Sequence, residues 1–311
     1  MKIFSVIKRI IKKPRTLIIY LNSLGLLSLL SDKLYAKLMW YATMGQKLSL
    51  NNPHTFSEKL QWLKIYDRNP LYTQLVDKYK VRIFIKERVG EKYLIPLLGV
   101  WDNANEIDFN NLPDRFVLKC NHNSGEGMYL CDKSLGLNID EIRTTINRAL
   151  KKNYYFEKRE WPYKDVKRKV IAEKYMEDDS NIALGLKGLI DYKFYCFNGV
   201  PKFLYIGIAD NKAGRKGDSQ LTFYDLKWTK TPFYRNDHAP FPIELNKPDC
   251  LNRMIDIAAK LSDGIPFVRV DLYYINGHIY FSELTFSPGG GFSPFYPTEW
   301  EEKIGEWIRI S

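Results

Sequence analysis

The stretch FVRVDLYYINGHIYFSELTFSPGGG, from Phe267 to Gly291, decides the fold. Two runs of alternating apolar residues flank Asn276-Gly277, and Asn-Gly between such runs is the strongest short-range signal for a β-hairpin. Arg269 and Asp271 are two residues apart on the first strand, so their side chains share one face of it. Glu283 is the carboxylate of the second strand, and a glycine-rich loop follows it closely.

The length of the turn decides whether the two carboxylates lie together. A two-residue turn at Asn276-Gly277 pairs Asp271 with Ser282 and directs Glu283 to the opposite face. A three-residue turn centred on Gly277 pairs Asp271 with Glu283. We predict the three-residue turn, because it keeps the apolar side chains of the hairpin on one face.

The three-residue turn also places Tyr280 and Leu284 on the apolar face. Two carboxylates and an arginine beside a glycine loop then form a plausible site for Mg²⁺ and phosphate. Mg²⁺ prefers hard oxygen ligands and usually takes one or two carboxylates plus substrate phosphates. A surface hairpin with an ordinary Arg–Asp pair is the alternative.

Composition bounds the class of protein. A chain of 311 residues can hold one large domain or two smaller ones. The net charge of +11 favours an anionic partner: a nucleotide, an anionic glycan, nucleic acid or an acidic membrane surface. The four cysteines are far apart without a CxxC pair, which argues against a zinc site and a disulfide framework and suits a reducing cytosol.

The first 30 residues, MKIFSVIKRIIKKPRTLIIYLNSLGLLSLL, alternate basic and apolar residues before a longer apolar run. That run, residues 17–30, is too short to span a bilayer, and no small-residue cleavage site follows it. The segment could lie on an anionic membrane surface, or it could be a helix packed on the body of the protein.

A second candidate region is the sequence RFVLKC-NHNSGEG-MYLC, residues 115–131, which predicts a strand, a glycine loop and a strand. Lys119 lies near the end of the first strand. A lysine beside a flexible loop suits nucleotide phosphates, since backbone N–H groups can approach where no Cβ intrudes. No Walker A and no GxGxxG pattern supports this interpretation.

Three further segments complete the pattern. Residues 71–90 predict a helix with Gly90 as its C-cap. Residues 151–169 hold eight Lys/Arg against three acids, interleaved with aromatic residues. Such a segment could bind nucleic acid or an anionic sugar, or be a solvated loop. A second Asn-Gly hairpin at 198–199 places Asp191 and Lys193 on one face of its leading strand.

Seven segments, in this order, resemble the TupA-like ATP-grasp family of bacterial surface-polysaccharide and teichuronopeptide biosynthesis, within the ATP-grasp superfamily. They are TFSEKLQWLKIYDRNPLYTQLVDKYKVR, YLIPLLGVWD, LPDRFVLKCNHNSG, EWPYK, IAEKYM, DYKFYCFNG, and RVDLY with the following Glu283 and SPGGG. The resemblance covers about residues 45–300. It implies an α+β ATP-grasp fold, in which two α+β subdomains clasp ATP, with an N-terminal helical segment. The implied divisions are 1–75, 76–172 and 173–311.

The resemblance also implies residue roles in nucleotide binding. Lys119 would contact the α-phosphate, Glu173 the adenine amino group, and Asp178 or Asp179 the ribose. The full implied set is Lys78, Lys119, Ser124, Gly125, Gly127, Glu173, Lys174, Tyr175, Met176, Asp178 and Asp179.

For the chemical step, the resemblance implies that Asp271 and Glu283 bind Mg²⁺ and that Arg269 steadies the transferred phosphoryl group. Lys193 would reach the γ-phosphate side, and the N–H groups of Gly289 and Gly290 would stabilise a developing oxyanion. The usual metal-ligand Asn two residues after the Glu is Thr285 here, which puts a second metal site in doubt. The predicted acceptor-binding residues are Trp161, Tyr163, Lys164 and Lys167.

The implied activity is an ATP- and Mg²⁺-dependent carboxylate–amine ligase that forms an amide through an acyl phosphate. The expected partners are ATP, a uronic-acid acceptor and an amino acid or amine. We expect a cytoplasmic protein in peripheral contact with the inner face of the membrane or free of it, and no nucleic acid. One rival is a glycosyltransferase, although the sequence has no Asp-x-Asp. The other is a basic nucleic-acid or membrane-surface binding protein, which leaves the paired carboxylates unexplained.

Overall fold

The computed structural model describes Ile10 and residues 12–186, 188–209 and 218–310. In these residues the helices are α1 (Thr16–Ser23), α2 (Asp32–Met44), α3 (Phe56–Tyr66), α4 (Leu71–Val76), α5 (Val81–Arg88), α6 (Ile139–Lys151), α7 (Tyr155–Lys158), α8 (Asp179–Ala183), α9 (Leu251–Ser262) and α10 (Glu299–Gly305). The strands are β1 (Leu97–Trp101), β2 (Arg115–Cys120), β3 (Tyr129–Asp132), β4 (Val170–Lys174), β5 (Ile190–Phe197), β6 (Val200–Ala209), β7 (Asp218–Asp225), β8 (Phe267–Ile275) and β9 (His278–Thr285).

These elements form two compact units. The first unit contains the described residues up to Asn69, together with Tyr154–Trp161 and the residues from Ser287 onward. The second unit contains Pro70–Asn153 and Pro162–Phe286. The predicted division of the ATP-grasp subdomains after residue 172 stays a prediction.

The second unit contains both sheets. The smaller sheet has the strand order β1-β4-β2-β3 and is antiparallel. Phe116 and Leu118 of β2 belong to a buried cluster with Ile146 of α6. Because side chains alternate along a strand, Lys119 lies on the other face, and Glu173 shares that face because it is opposite Val117.

The larger sheet has the order β7-β6-β5-β8-β9. Cys196 of β5 lies on the face that packs against α9, with its thiol 3.9 Å from the carbonyl oxygen of Ala258. The opposite face carries Lys193, which is opposite Asp271 on β8. It also carries Tyr195, which stacks on Phe203 at 4.6 Å between ring centroids. The charged side chains therefore lie beside an aromatic layer.

The hairpin β8–β9 places Asp271 opposite Glu283, as predicted, but the predicted three-residue turn is wrong. Ile275 pairs with His278, so the turn contains only Asn276 and Gly277. Both turn residues have positive φ, 46° and 84°, as a type I′ turn requires.

A β-bulge restores the pairing of the carboxylates. Leu272 is opposite Phe281, whereas Asp271 is opposite Glu283, so Ser282 is the extra residue on β9. A bulge inserts one residue and reverses the faces of all residues beyond it. It therefore brings Glu283 to the face of Asp271, which the two-residue turn alone would not do.

The bulge also changes the apolar face of the hairpin. Leu284 lies on that face, opposite Val270 and 2% exposed, as predicted. The prediction for Tyr280 is wrong, because Tyr280 is opposite Tyr273 on the face of the carboxylates. Phe281 takes its place in the core, 5% exposed.

The predicted continuous helix over residues 71–90 is also wrong. Asp77 ends α4, and its Oδ1 accepts the N–H groups of Tyr79 and Lys80 at 2.9 and 3.2 Å. The second helix, α5, begins at Val81 and ends at Arg88, with Val89 as its C-cap. The break leaves Lys78 between two helices rather than on a helix face.

The first unit has its own core. Trp40, Leu48 and Leu50 form a buried cluster against which Phe292 packs.

The first unit also contains a buried ion pair. Arg159 is 5% exposed and bonds the carboxylate of Asp32 at 3.3 Å.

The N-terminal segment is partly packed. Ile18, Ile19 and Leu21 pack on a buried cluster that includes Tyr35 and Met39. This contact favours a helix packed on the body for residues 16–23. The basic residues Lys2, Lys8 and Arg9 lie outside the described residues. None of the helices in the described ranges has the length and apolar character needed to cross a bilayer.

Candidate active site

The paired carboxylates of the hairpin share their cations. Asp271 is fully buried, and its two oxygens accept bonds from Arg269 at 2.7 and 2.5 Å. Lys193 lies 3.3 Å from the same carboxylate. Arg269 also lies 3.3 Å from Glu283. One guanidinium therefore bridges both carboxylates, as its planar fork allows.

Burial and charge act differently on the two carboxyl groups. Burial raises the pKa of Asp271, and Arg269 and Lys193 oppose that shift. Burial also raises the pKa of Glu283, but the charges of Lys78, Lys193 and Arg269 outweigh it and lower the pKa to about 2. Glu283 is therefore an anion at neutral pH, although its side chain is only 30% exposed.

Thr285 lies two residues after Glu283, where the family resemblance leads us to expect a metal-ligand Asn. Its hydroxyl accepts a bond from Arg269 at 3.0 Å and donates to Glu283 at 3.3 Å. The oxygen thus lies beside the carboxylate, but its predicted contact with a metal stays a prediction.

The donor set of the hairpin fits Mg²⁺. Carboxylate and hydroxyl oxygens are the hard ligands that this ion prefers, with substrate phosphates completing its shell. Asp271 and Glu283 would hold the ion. Glu283 is the more accessible ligand, because both oxygens of Asp271 already accept bonds from Arg269.

Lys78 joins the glycine loop to the hairpin. Its Nζ donates to the carbonyl oxygen of Asn123 at 2.6 Å and lies 3.8 Å from Glu283. Burial lowers its pKa, and the charge of Glu283 opposes that shift. Lys78 therefore contacts both the glycine loop and the hairpin, and its predicted role in ATP binding stays a prediction.

Lys119 and Glu173 form the other end of the site. Nζ of Lys119 lies 2.6 Å from Glu173, and a guanidinium nitrogen of Arg82 lies 3.5 Å from the same carboxylate. Glu173 is 7% exposed, so these cations neutralise a buried charge. Its predicted contact with the adenine amino group stays a prediction.

A cavity of about 190 Å³ lies beside this pair. This volume is below the roughly 300–1,000 Å³ usual for sites that bury a whole small ligand, so it suits a base better than a complete nucleotide. Its wall includes the predicted residues Lys119, Glu173, Lys174, Tyr175, Met176 and Asp178, with apolar side chains that include Ile95, Val117, Leu130, Ile182 and Leu189.

The glycine loop has a defined backbone. Gly125 and Gly127 have φ of 80° and 72°, values that residues with a Cβ atom rarely adopt. A Cβ on Gly127 would also lie 2.9 Å from the Cβ of Ala149. Asn123 donates to the carbonyl oxygen of Glu126 at 2.9 Å and so closes the loop that contains Ser124. The predicted binding of nucleotide phosphates by this loop stays a prediction.

The two predicted ribose ligands differ in accessibility. Asp178 accepts the N–H groups of Asn181 at 3.0 Å and Asn276 at 2.9 Å, so its carboxylate ties α8 to the tip of the hairpin. Asp179 is exposed, although its N–H bonds Asn276. Asp179 is therefore the more accessible candidate, and the ribose contact stays a prediction for both.

The predicted acceptor residues divide between the two units. Trp161 belongs to the first unit, where its ring N–H donates to the carbonyl oxygen of Asp67 at 2.9 Å. Tyr163, Lys164 and Lys167 belong to the second. The side chain of Lys167 is 71% exposed. Their contact with an acceptor stays a prediction.

Gly289 and Gly290 lie in the first unit. The N–H of Gly290 donates to the carbonyl oxygen of Ser287 at 2.7 Å. This bond argues against the prediction that Gly290 donates to an oxyanion. The prediction for Gly289 stays.

Three residues near the site carry no prediction from the sequence: Asp77, Arg82 and Asn121. Asn121 is fully buried and donates to Asp77 at 2.8 Å, while its carbonyl oxygen accepts the N–H of Lys78 at 3.0 Å. It therefore fixes the backbone that carries Lys78. The sequence gives no local signal for Arg82, which lies on α5 (Val81–Arg88), whereas Lys78 precedes that helix.

The two antiparallel sheets place lysines, a buried glutamate and a carboxylate-bearing hairpin around one cavity. This arrangement defines an ATP-grasp protein of the α+β class. A model of the family described as "TupA-like ATPgrasp" matches residues 58–309, and the chain belongs to that family. The predicted fold class is thereby confirmed. ATP and Mg²⁺ are the cofactors of ATP-grasp ligases, as predicted.

The chain is also similar to solved structures. D-alanine–D-alanine ligase from Bacillus anthracis complexed with ATP is 15% identical with a TM-score of 0.38, and the match covers 68% of this chain and 54% of that one. The corresponding ligase from Helicobacter pylori is 14% identical with a TM-score of 0.42, covering 81% and 69%. D-cycloserine synthetase DcsG is 14% identical with a TM-score of 0.42, covering 77% and 72%. This chain thus spans about half the length of the first ligase. Comparison with curated proteins gives no match.

Proposed function

We propose that the protein is an ATP- and Mg²⁺-dependent carboxylate–amine ligase. The observation that carries the proposal is the set of contacts around the hairpin. Asp271 and Glu283 share Arg269, with Lys193 and Lys78 at 3.3 and 3.8 Å from these carboxylates. A cluster of two anions and three cations suits a reaction that moves a phosphoryl group, since catalysis of that step is mostly positioning and charge stabilisation.

The reaction has two steps. A carboxylate oxygen of the acceptor attacks the γ-phosphorus, the bond to the bridging oxygen breaks, and ADP leaves. The amine nitrogen then attacks the acyl carbon, inorganic phosphate leaves, and the amine loses a proton. Mg²⁺ would neutralise phosphate charge during the first step. Arg269 and Lys193 would stabilise the transferred group, and Lys78 and Lys119 would orient the phosphates.

The proposed acceptor is a uronic-acid carboxylate of a bacterial surface polysaccharide or its precursor, and the proposed second substrate is an amino acid or amine. Membership of the TupA-like family and the basic, aromatic segment 151–169 support this class. Lys164 and Lys167 would attract the sugar carboxylate.

The two rival functions explain less of the molecule. A glycosyltransferase leaves the glycine loop and the paired carboxylates of the hairpin without a role. A binding protein selected for positive charge alone gives no reason for an Asp271 that is fully buried and held by Arg269 and Lys193.

Substitution of Glu283 tests the proposal. Wild-type protein should release ADP only when Mg²⁺, a uronic acid and an amine are all present. Glu283→Gln keeps the shape and removes the charge, so we expect ADP release to fall by about 100-fold or more, as for loss of other electrostatic groups that act in the transition state.

Glu244→Gln is the matched control, because Glu244 pairs with Lys230 with 77% of its side chain exposed. It should behave as wild type. ADP release without Mg²⁺, or equal rates for Glu283→Gln and the control, would argue against the proposal.

We also propose peripheral contact with the inner face of the membrane. The support comes from the turn between α1 and α2, where Leu24, Leu26 and Leu29 are 72%, 62% and 96% exposed. Lys33 and Lys37 are exposed on the following helix. Exposed leucines beside lysines suit an anionic lipid surface.

A further inference from the structure

Glu173, in the wall of the cavity beside Lys119, has a cation near each of its two oxygens. Nζ of Lys119 lies 2.6 Å from Oε2, and a guanidinium nitrogen of Arg82 lies 3.5 Å from Oε1. Lys119 also lines the cavity. One carboxylate and two cations leave a positive charge in excess at this wall. An excess positive charge in a cavity favours an anionic ligand.

The two cations are held differently. The other arm of the Arg82 guanidinium donates to the carbonyl oxygen of Ile95 at 2.8 Å. This bond fixes the planar group between the backbone before β1 and the carboxylate. Lys119 reaches Glu173 with an ammonium on a flexible four-carbon stem, which can turn toward another anion. Arg82 is therefore the fixed counter-ion of Glu173, and Lys119 is the adaptable one.

The charge of Arg82 serves Glu173 rather than its own helix. Arg82 is the second residue of α5, where the positive end of the helix dipole opposes a cation. Burial lowers the pKa of Arg82, and the charge of Glu173 is the largest effect that opposes this shift. Glu91, another carboxylate near Arg82, pairs with Lys86 at 2.8 Å. The position of Arg82 is thus unfavourable for the helix and favourable for Glu173.

Burial of Glu173 limits what its partners can do. Glu173 is 7% exposed, and a buried carboxylate that loses its counter-ion is strongly destabilising. If Lys119 were the single partner, a phosphate could attract its ammonium only at that cost. Because Arg82 stays at Oε1, Lys119 can bind a phosphate while Glu173 keeps a counter-ion.

We infer that Arg82 is a positioning residue that neutralises Glu173 and so leaves the charge of Lys119 for the α-phosphate of the nucleotide. This inference rests on the proposed function, in which Lys119 orients the phosphates. Arg82 acts through Glu173 and does not itself touch the nucleotide.

The test compares AMP with adenosine in calorimetric titrations without Mg²⁺. AMP adds only the α-phosphate, so the ratio of the adenosine Kd to the AMP Kd measures what that phosphate contributes. A change in the shape of the cavity wall affects both ligands alike and cancels in the ratio. For wild type we expect a ratio of about 10 or more, because a charge-assisted hydrogen bond contributes about that factor.

Arg82→Met keeps an unbranched stem and removes the charge, so Lys119 becomes the single counter-ion of Glu173. We expect the ratio to fall about tenfold, since the phosphate then loses its charged donor. Arg82→Lys keeps a cation and should retain most of the wild-type ratio. Arg88→Met is the matched control and should behave as wild type. Arg88 lies on the same helix and faces Asp263 at 3.4 Å, with 45% of its side chain exposed.

Substitution of Glu173 separates charge from shape. In the double variant Arg82→Met with Glu173→Gln the carboxylate charge is gone, so Lys119 is free to bind the phosphate. We expect this variant to recover the wild-type ratio. Glu173→Gln alone should have a ratio at least equal to that of wild type.

Three results would overturn the inference. One is a wild-type ratio in Arg82→Met, and another is a ratio in the double variant as low as in Arg82→Met. The third is a ratio in Glu173→Gln below that of wild type, which decides the matter even if Arg82→Met does not fold.

The ratios do not depend on ligation. Wild type that shows them but releases no ADP with ATP, Mg²⁺, a uronic acid and an amine would count against the ligase function and leave the role of Arg82 intact. Wild type that binds AMP no more tightly than adenosine would overturn the inference, because Lys119 then contributes nothing through the phosphate.

Discussion

Lys78 shows how much of the site depends on one backbone position. Its N–H bonds the carbonyl oxygen of Asn121, and its ammonium bonds the loop at Asn123 and faces Glu283. Lys78→Met should remove one charge-assisted hydrogen bond, worth about 1.5–3 kcal/mol. We therefore expect the Kd for ATP with Mg²⁺ to rise about 10- to 100-fold in calorimetric titration.

The control for this substitution is Lys86→Met, since Lys86 lies on α5 and pairs with Glu91 at the surface, with 61% of its side chain exposed. It should bind ATP as wild type does. Equal affinities of the two variants would show that Lys78 does not hold the nucleotide.

Lys78 also affects the pKa of Glu283. Lys78 is the charge that lowers the pKa of Glu283 most. A carboxyl group whose pKa is lower in the folded than in the unfolded protein stabilises the fold at pH values above its unfolded pKa. This stabilisation is lost as the pH falls through the folded pKa. In Lys78→Met the pKa of Glu283 should rise, so this contribution is lost at a higher pH than in wild type.

At the scale of elements, local sequence signals predicted the strand around Lys119 and the hairpin at Asn198-Gly199 correctly. Asn276-Gly277 and Asn198-Gly199 both form turns with positive φ, because few other residue pairs adopt that backbone cheaply. The strand around Lys119 was predictable for a similar reason, since Phe116 and Leu118 alternate with it.

The bulge at Ser282 could not be predicted from the same signals. Periodicity favoured a uniform register, and a three-residue turn was one way to bring the carboxylates together. The structure uses a favourable two-residue turn and an extra residue on β9 instead. The pairing of Asp271 with Glu283 was right, but the reason for it was wrong.

Helix α3 shows a different limit. The apolar residues Leu60, Leu63 and Ile65 lie near helical spacing in the sequence, yet Gln61 and Lys64 of the same helix are buried, at 0% and 5% exposure. Polar residues are buried when partners satisfy them. Those partners are carbonyl groups more than 220 residues away in the sequence, which no local pattern reveals.

At the scale of the whole molecule, the net charge of +11 and the exposed leucines lead to one prediction about membranes. Wild type should float with vesicles containing anionic lipid, less so at high salt, because surface charges are screened. The double variant Leu26→Asp with Leu29→Asp should lose about tenfold or more of this binding, since burying each leucine is worth about 1.5–3 kcal/mol.

Leu135→Asp is the control for the membrane prediction, because Leu135 is 83% exposed in the second unit. It should float as wild type does. If the double variant floats as well as wild type does, the turn between α1 and α2 is not the site of membrane contact.

The central claim is that a carboxylate oxygen attacks the γ-phosphorus before the amide forms. The most direct measurement uses a uronic acid labelled with ¹⁸O in its carboxylate, together with ATP, Mg²⁺ and the amine. Mass spectrometry should find one labelled oxygen in the released phosphate for each amide formed, because that oxygen leaves with phosphorus. Unlabelled phosphate alongside amide product would contradict the acyl-phosphate route.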